Sequence, residues 1–478
     1  MSFRIYRKDN AIVLIDTDSW DVQKFPIGEI WYDYVATDSP VIYSFYYRNA
    51  ERILVLREPY TSFQDGKGNG FADDSEFRDY IDPLLSNGVG NSLDGSGQID
   101  AGGRIRVSQL TTQIDVKQIN DNAPLFFDRE NVSGATQVYA KNDGGTTMSV
   151  SSNGDAAICQ SKMFANYFSG KSQFGEITFS GGQNQDNVTK RIGYFSSNTV
   201  SPYDSDKDGL WFEADGTDYR FRIQKNGTDI VNVAQSDWNI NTLPNSDFSK
   251  FNVFVFQFLY LGGTEIRFGF VQNGAITWCH GYKHAGIIAN TFVESPNQPI
   301  RYEVRSTGGS GSMIQVCAQV ASEGSIDEVG VHRAFDVENV ALNPAGGNIY
   351  AVIGARLKSA YRNITVKKQD LSVLATTNDN FIWRVSINPT VGGTFTYNDQ
   401  TNSSLQVATG ATTNTVSSLG TVIASGHGTG NSQISSFIRS SLRLGTQIDG
   451  TQDELVLSLE PITNNFTAYA TIGFQEFI

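Results

Sequence analysis

Between residues 190 and 327, apolar and polar side chains alternate strictly through several consecutive segments. Tyr219, Phe221 and Ile223 interleave with Asp218, Arg220, Arg222 and Gln224. Ile266, Phe268 and Phe270 interleave with Glu265, Arg267 and Gly269, and Ile300, Tyr302 and Val304 with Arg301, Glu303 and Arg305. Neighbouring side chains of a strand point to opposite faces, so each segment has one apolar and one polar face. Half-buried antiparallel strands packed on a second sheet have this pattern. Residues 251–261 (FNVFVFQFLYL) are apolar on both faces and predict a central strand.

The chain around this region is too long for one core: 478 residues imply about two to four domains. Charged residues are only 18% against 12% aromatic, and 46 glycines accompany abundant Ser, Thr and Asn, which points to many short strands joined by turns. Residues 1–100 read as a small α+β anchoring module, with strands at 3–6, 11–16, 41–47 and 53–56. Its one helix is predicted over 75–85, where Phe77, Tyr80, Ile81 and Leu84 recur at helical spacing. The Gly/Ser/Asp-rich run 87–103 ends this module. Residues 101–130 then read as an extended connector able to pack on a neighbouring chain. Residues 131–335 predict an antiparallel β-sandwich and 336–478 a C-terminal β domain, with strands near 349–356, 364–368, 381–387, 454–459 and 468–477.

Several function classes are disfavoured. The net charge is −14 with no opposing Lys/Arg cluster, so nucleic-acid binding is not expected. The three cysteines cannot build a disulfide framework. The opening MSFRIYRKDN has no apolar core of a secretory signal, and the longest apolar run is too short to span a bilayer. A chain made in the cytoplasm, without membrane insertion, is expected.

Asp204, Asp206, Asp208 and Gly209, with Asp215, have the spacing of a calcium loop, in which alternate carboxylates converge on one hard cation. A solvated Asp-Gly turn between strands explains the same residues. His280 and His284 have helical ligand spacing but lie in a strand-like context, where that spacing loses its meaning. ANYFSGKS (165–172) matches a relaxed phosphate-loop pattern, but a strand follows it where a helix is needed. Glu323, Asp327 and Glu328 are too irregularly spaced for one strand face to collect them as paired catalytic carboxylates. Trp278 and Tyr282, near a turn, are the candidate sugar-stacking aromatics.

Three segments carry a resemblance. KRIGYFSSNTVSPYDSDKDGLWFE (190–213), FLYLGGTEIRFGF (258–270) and SPNQPIRYEVRSTGGSGSMIQVCAQVASEGSID (295–327) resemble a family of virion structural proteins of tailed bacteriophages from marine and other environmental hosts. The similarity extends over about residues 104–478, with WRVSINPTVGGTFTY (383–397) in the C-terminal part. The resemblance implies a jelly-roll or lectin-like sandwich in a virion component and brings no catalytic residues. The expected function is therefore a non-enzymatic head or tail fibre or decoration, without cofactor beyond the calcium candidate. Its expected partners are capsid, collar or tail proteins and two further copies in a homo-trimer, with adhesion to host-surface glycan as an extension. A collar or baseplate joining protein, and a tail-borne polysaccharide depolymerase, are the alternatives.

Overall fold

The computed structural model describes residues 110–477 apart from 261–264, 273, 285, 325–329, 343–346, 377–379, 431–432, 438–442 and 464; before residue 110 it describes seven strands. The chain divides at residue 107 into two units. In the first, seven strands from Arg4–Arg7 to Gly70–Phe71 form one sheet. The predicted helix 75–85 and the glycine-rich run 87–103 lie outside the described residues.

In the second unit the described residues form two large hydrophobic cores, one from Ile114 to Val320 and one from Val337 to Phe474, beside a smaller cluster around Ile158 and Ile448. Around the first core, an eight-stranded and a seven-stranded antiparallel sheet face each other as a β-sandwich. The apolar halves of the alternating segments all point into it. Phe221, Ile223, Ile266, Phe268, Phe270, Ile300, Tyr302 and Val304 are inaccessible to solvent. Asn252–Phe258 is a central strand, hydrogen-bonded to Gln173–Ser180 on one side and Glu265–Gln272 on the other. Gly175 makes this fit possible: a β-carbon there would lie 2.1 Å from the ring of Phe256, its cross-strand partner. Asn226 and Gly227, both at positive φ, turn Tyr219–Lys225 into Thr228–Ala234.

Part of the predicted connector belongs to this sandwich. Leu110–Val116 pairs with the distal half of Gly311–Glu323, and Ile114 and Val116 are buried in the core. Phe127–Val132 pairs with Ala156–Ser161. The polar appearance of 104–128 hid the strand Leu110–Val116, in which Ile114 and Val116 point inward while Leu110 stays exposed, and the start of the strand Phe127–Val132.

The second core lies within a four-stranded and a six-stranded antiparallel sheet. Tyr350–Leu357, Thr365–Ala375, Asn380–Ile387, Leu455–Pro461 and Phe466–Phe477 each begin within a few residues of an expected strand, while Val331–Leu342 and Thr421–Thr429, also in these sheets, were not expected. No helix among the described residues is long and apolar enough to cross a membrane.

Candidate functional site

The outer face of the seven-stranded sheet does not meet water as its polarity suggests. Arg191, Glu213, Arg222, Arg301, Glu303 and Arg305 share it and form a connected ion network. Glu303 Oε2 lies 2.9 Å from Arg191 Nη1 and 3.0 Å from Arg305 Nε, and its Oε1 is 2.5 Å from Arg301 Nη2. Glu213 takes Arg191 Nε at 2.6 Å and Arg222 Nη1 at 2.8 Å. Arg301 and Glu303 are essentially inaccessible, with 1% and 0% exposure. Burial alone would raise the Glu303 carboxyl, but Arg305, Arg301 and Arg191 hold it well below the usual carboxylate range. Burial likewise opposes ionisation of Glu213, and Arg191 and Arg222 outweigh it.

The acidic loop 197–207 covers this network. The Tyr203 carbonyl accepts hydrogen bonds from Arg301 at 2.9 Å and Arg305 at 2.8 Å, pinning the loop to the sheet. This arrangement decides the fate of the calcium candidates. Asp204 pairs with Arg191 at 3.0 Å, Lys207 at 2.5 Å and Arg305 at 3.1 Å. Asp206 accepts from Ser205 Oγ. Asp208 turns the other way and accepts from the Glu294 and Ser295 amides and from Gln298 Nε2, at 2.7, 2.9 and 2.6 Å. Asp215 pairs with Arg220 at 2.5 Å. The four carboxylates therefore do not converge. Among the described residues no group of three or more His, Cys, Asp or Glu side chains is arranged to hold a metal ion. The expected loop spacing is overridden by arginines on neighbouring strands, which sequence spacing does not reveal.

The other candidates are also placed. Trp278 lies opposite Gly269 and Tyr282 opposite Ile266, across a bulge at Phe268 and Gly269. That bulge puts them on opposite faces: Tyr282 packs against the core beside Ile266, so the pair makes no common stacking platform. His280 Nδ1 accepts the Asn239 amide at 3.4 Å, while the buried His284 ring meets Phe292 edge-on at 4.9 Å. Burial lowers the pKa of both imidazoles. The segment 165–172 runs through a turn into Gln173–Ser180. Glu323 takes hydrogen bonds from Ser172 Oγ and from Gln257 Nε2, while Asp327 and Glu328 lie outside the described residues.

A cleft of about 840 Å³ lies at the seam of the two β domains. Segments 196–208 and 294–298 of the sandwich form one wall, and 359–363 with Asp449 and Gly450 of the C-terminal domain form the other. Hydrogen bonds cross the seam below it. Asn297 Nδ2 donates to the Asn363 carbonyl at 3.0 Å, and Asn363 Nδ2 to Ser295 Oγ at 2.8 Å. Arg362 Nη2 donates to the Ser197 carbonyl at 3.2 Å, and the Ile448 amide to Asp128 Oδ2 at 2.7 Å. Ile448 also inserts its side chain among Ala156, Ile158 and Tyr203. The seam residues were missed in sequence because asparagine and serine in loops read as turn formers. A signal for the network did exist, in the Arg301-Glu303-Arg305 alternation of sign on one strand face.

No protein-family model matches this chain, and no curated protein does. Among solved structures, the Emp47p carbohydrate recognition domain is similar at 11% identity, covering 47% of this chain and 99% of that one, with a TM-score of 0.32. The carbohydrate esterase vb_24B_21 from the Shiga toxin-encoding bacteriophage phi24B is 10% identical, covering 45% of this chain and 100% of that one, with a TM-score of 0.29. A protein of unknown function, SO2946 from Shewanella oneidensis MR-1, is 12% identical, covering 54% of this chain and 98% of that one, with a TM-score of 0.32. The sandwich assignment rests on the strand pairing itself.

Proposed function

We propose that this chain is a non-enzymatic structural protein of a tailed-phage virion, a fibre or decoration in which the two β domains act as one stiff body. The observation that supports this reading is the seam. The distinctive segments SPYDSDKDG (201–209) and SPNQP (295–299), which carry much of the resemblance, contribute little chemistry. The first is bound down over the arginine network through Tyr203, and the second clasps Asn363 through Ser295 and Asn297. A projecting virion component must transmit force between its ends, and domains tied by side-chain hydrogen bonds and an inserted apolar residue resist hinge motion. Residues 1–100 supply the anchor to capsid, collar or tail in this reading, and three copies assemble around a common axis.

The test is mass spectrometry of purified particles, followed by a reconstruction of the intact virion. The chain should be present in a copy number divisible by three, with residues 110–478 projecting as one rigid density. Absence from washed particles overturns the reading. Contacts to other virion proteins along its whole length would instead make it a joining piece. Release of sugar from host capsule by the purified chain would replace it with a depolymerase.

A further inference from the structure

The seam cleft separates its polar groups into two sets. One set is consumed in holding the walls. Asp208 is saturated by its three donors, Asn297 Nδ2 is committed to Asn363 and Asn166, and Asn198 donates to the Val200 carbonyl while accepting from the Ser205 amide. The other set is unspent. The Arg362 guanidinium has one hydrogen bond, to Ser197, which leaves the rest of its rigid fork of donors over the cleft. Glu294 is exposed, and its carboxylate makes no hydrogen bond or close ion pair among the described residues, although its charge acts on the Arg362 guanidinium from a distance. Gln298, only 2% exposed, lines the cleft with an Oε1 that has no partner. Val200, 68% exposed, and Pro296 supply apolar surface at the same opening.

We propose that this cleft binds a short, neutral, hydroxyl-rich saccharide, with Arg362 and Glu294 as the principal recognition groups. A sugar hydroxyl both donates and accepts, so it can satisfy an unspent guanidinium and an unspent carboxylate at once. The ring's C–H faces suit Val200 and Pro296. An anionic ligand is disfavoured because Asp206, Asp208 and Asp449 also line the cleft around its single guanidinium. An extended peptide would need a free strand edge or apolar side-chain pockets, whereas this lining consists of loop side chains that are mostly polar. The volume lies within the range of small-molecule sites, about 300–1,000 Å³. The walls are already held by the consumed set, so little ordering is lost on binding.

The inference goes beyond the virion role and can fail without it. The full chain is screened on an array of neutral pyranose oligosaccharides, with uronate and sulfated sugars beside them, and the best binder is titrated by calorimetry. Binding to neutral sugars is expected, weakened tenfold or more by Glu294→Gln and by Arg362→Met. Arg362→Met also removes a seam hydrogen bond, so a second variant guards the test. Val200→Trp fills the opening while touching no seam contact, and should abolish binding with the melting temperature unchanged. No neutral sugar bound above a control protein, preference for the anionic sugars, or affinity unaltered in Val200→Trp each overturns the proposal. None of these outcomes would bear on the presence of the chain in the particle.

Discussion

Phe212 and Glu213 are adjacent in sequence, point to opposite faces of one strand, and are both buried. Phe212 faces the other sheet, amid the rings of Phe248 at 5.0 Å, Phe270 at 5.1 Å and Phe179 at 5.9 Å. Glu213 faces outward and is enclosed by Arg191, Arg222 and the Trp211 indole N–H. The sheet thus has two interiors, one held by dispersion and area, the other by mutual charge. Period-two alternation reports the polarity of a face and not whether water reaches it. The arginine-rich face is dry because a loop and a second domain close over it.

The two faces should fail differently. Phe212→Ala leaves a large cavity in a close-packed aromatic cluster and is expected to cost about 3–5 kcal/mol. Glu303→Gln leaves the guanidiniums of Arg191, Arg301 and Arg305 without their shared counter-charge, and a broken buried pair of this kind also costs about 3–5 kcal/mol. Chemical denaturation at neutral pH measures both. A Glu303→Gln cost below about 1 kcal/mol, the range of exposed ion pairs, would show that the outer face is effectively hydrated.

Acid distinguishes them next. Glu303, Glu213 and Asp204 all have carboxyl pKa values held below the ordinary range; in each, burial opposes ionisation and neighbouring arginines overcome it. A carboxyl depressed by folding contributes stability that is complete above its unfolded pKa and is lost as pH falls through the folded value. Asp208 and Glu130, raised chiefly by burial, act in the opposite sense. The stronger depression of Glu303 sets the net sign, so stability should decline progressively below about pH 5. The gap between wild type and Glu303→Gln should narrow over the same descent, while the gap to Phe212→Ala stays constant. Melting curves from pH 7 to 3 check both, and parallel curves for all three proteins would remove the network from the account.

What sequence conveyed follows from the same contrast. The strands Tyr219–Lys225, Glu265–Gln272 and Ile300–Ser306 were legible because their inward residues are large and apolar, and local alternation suffices to find them. The strand Leu110–Val116 was not, because Ile114 and Val116 are its only well-buried apolar anchors and its partner is some two hundred residues away. The acidic run 204–215 showed an apparent ligand spacing. Its real partners, Arg191, Arg220 and Arg305, lie on three different strands. The cleft was invisible for a related reason, since Glu294 and Arg362 meet only when two domains are joined.

The smallest effect is expected at the margin of the outer face. Arg220 lies on the strand that also carries Arg222, with its Nε 2.5 Å from Asp215 and its Nη2 3.0 Å from Asp218. Here, however, the side chains of Arg220 and Asp215 are 25% and 27% exposed. Water already solvates part of each charge, and Asp215 keeps the Thr217 and Asp218 amides as donors once the arginine is gone. Arg220→Gln should therefore cost only about 0.2–1 kcal/mol, and added salt should shrink that cost. Glu303→Gln should keep most of its effect at the same ionic strength, because Glu303 and Arg301 are inaccessible and Arg191 and Arg305 are only 15% and 11% exposed. Denaturation midpoints at low salt and at about 1 M, where screening acts over roughly 3 Å, measure the difference. If the two variants lose equal stability, or respond equally to salt, position within the network does not matter. The boundary between a dry and a wet charged face would then have to be drawn elsewhere than at Glu213.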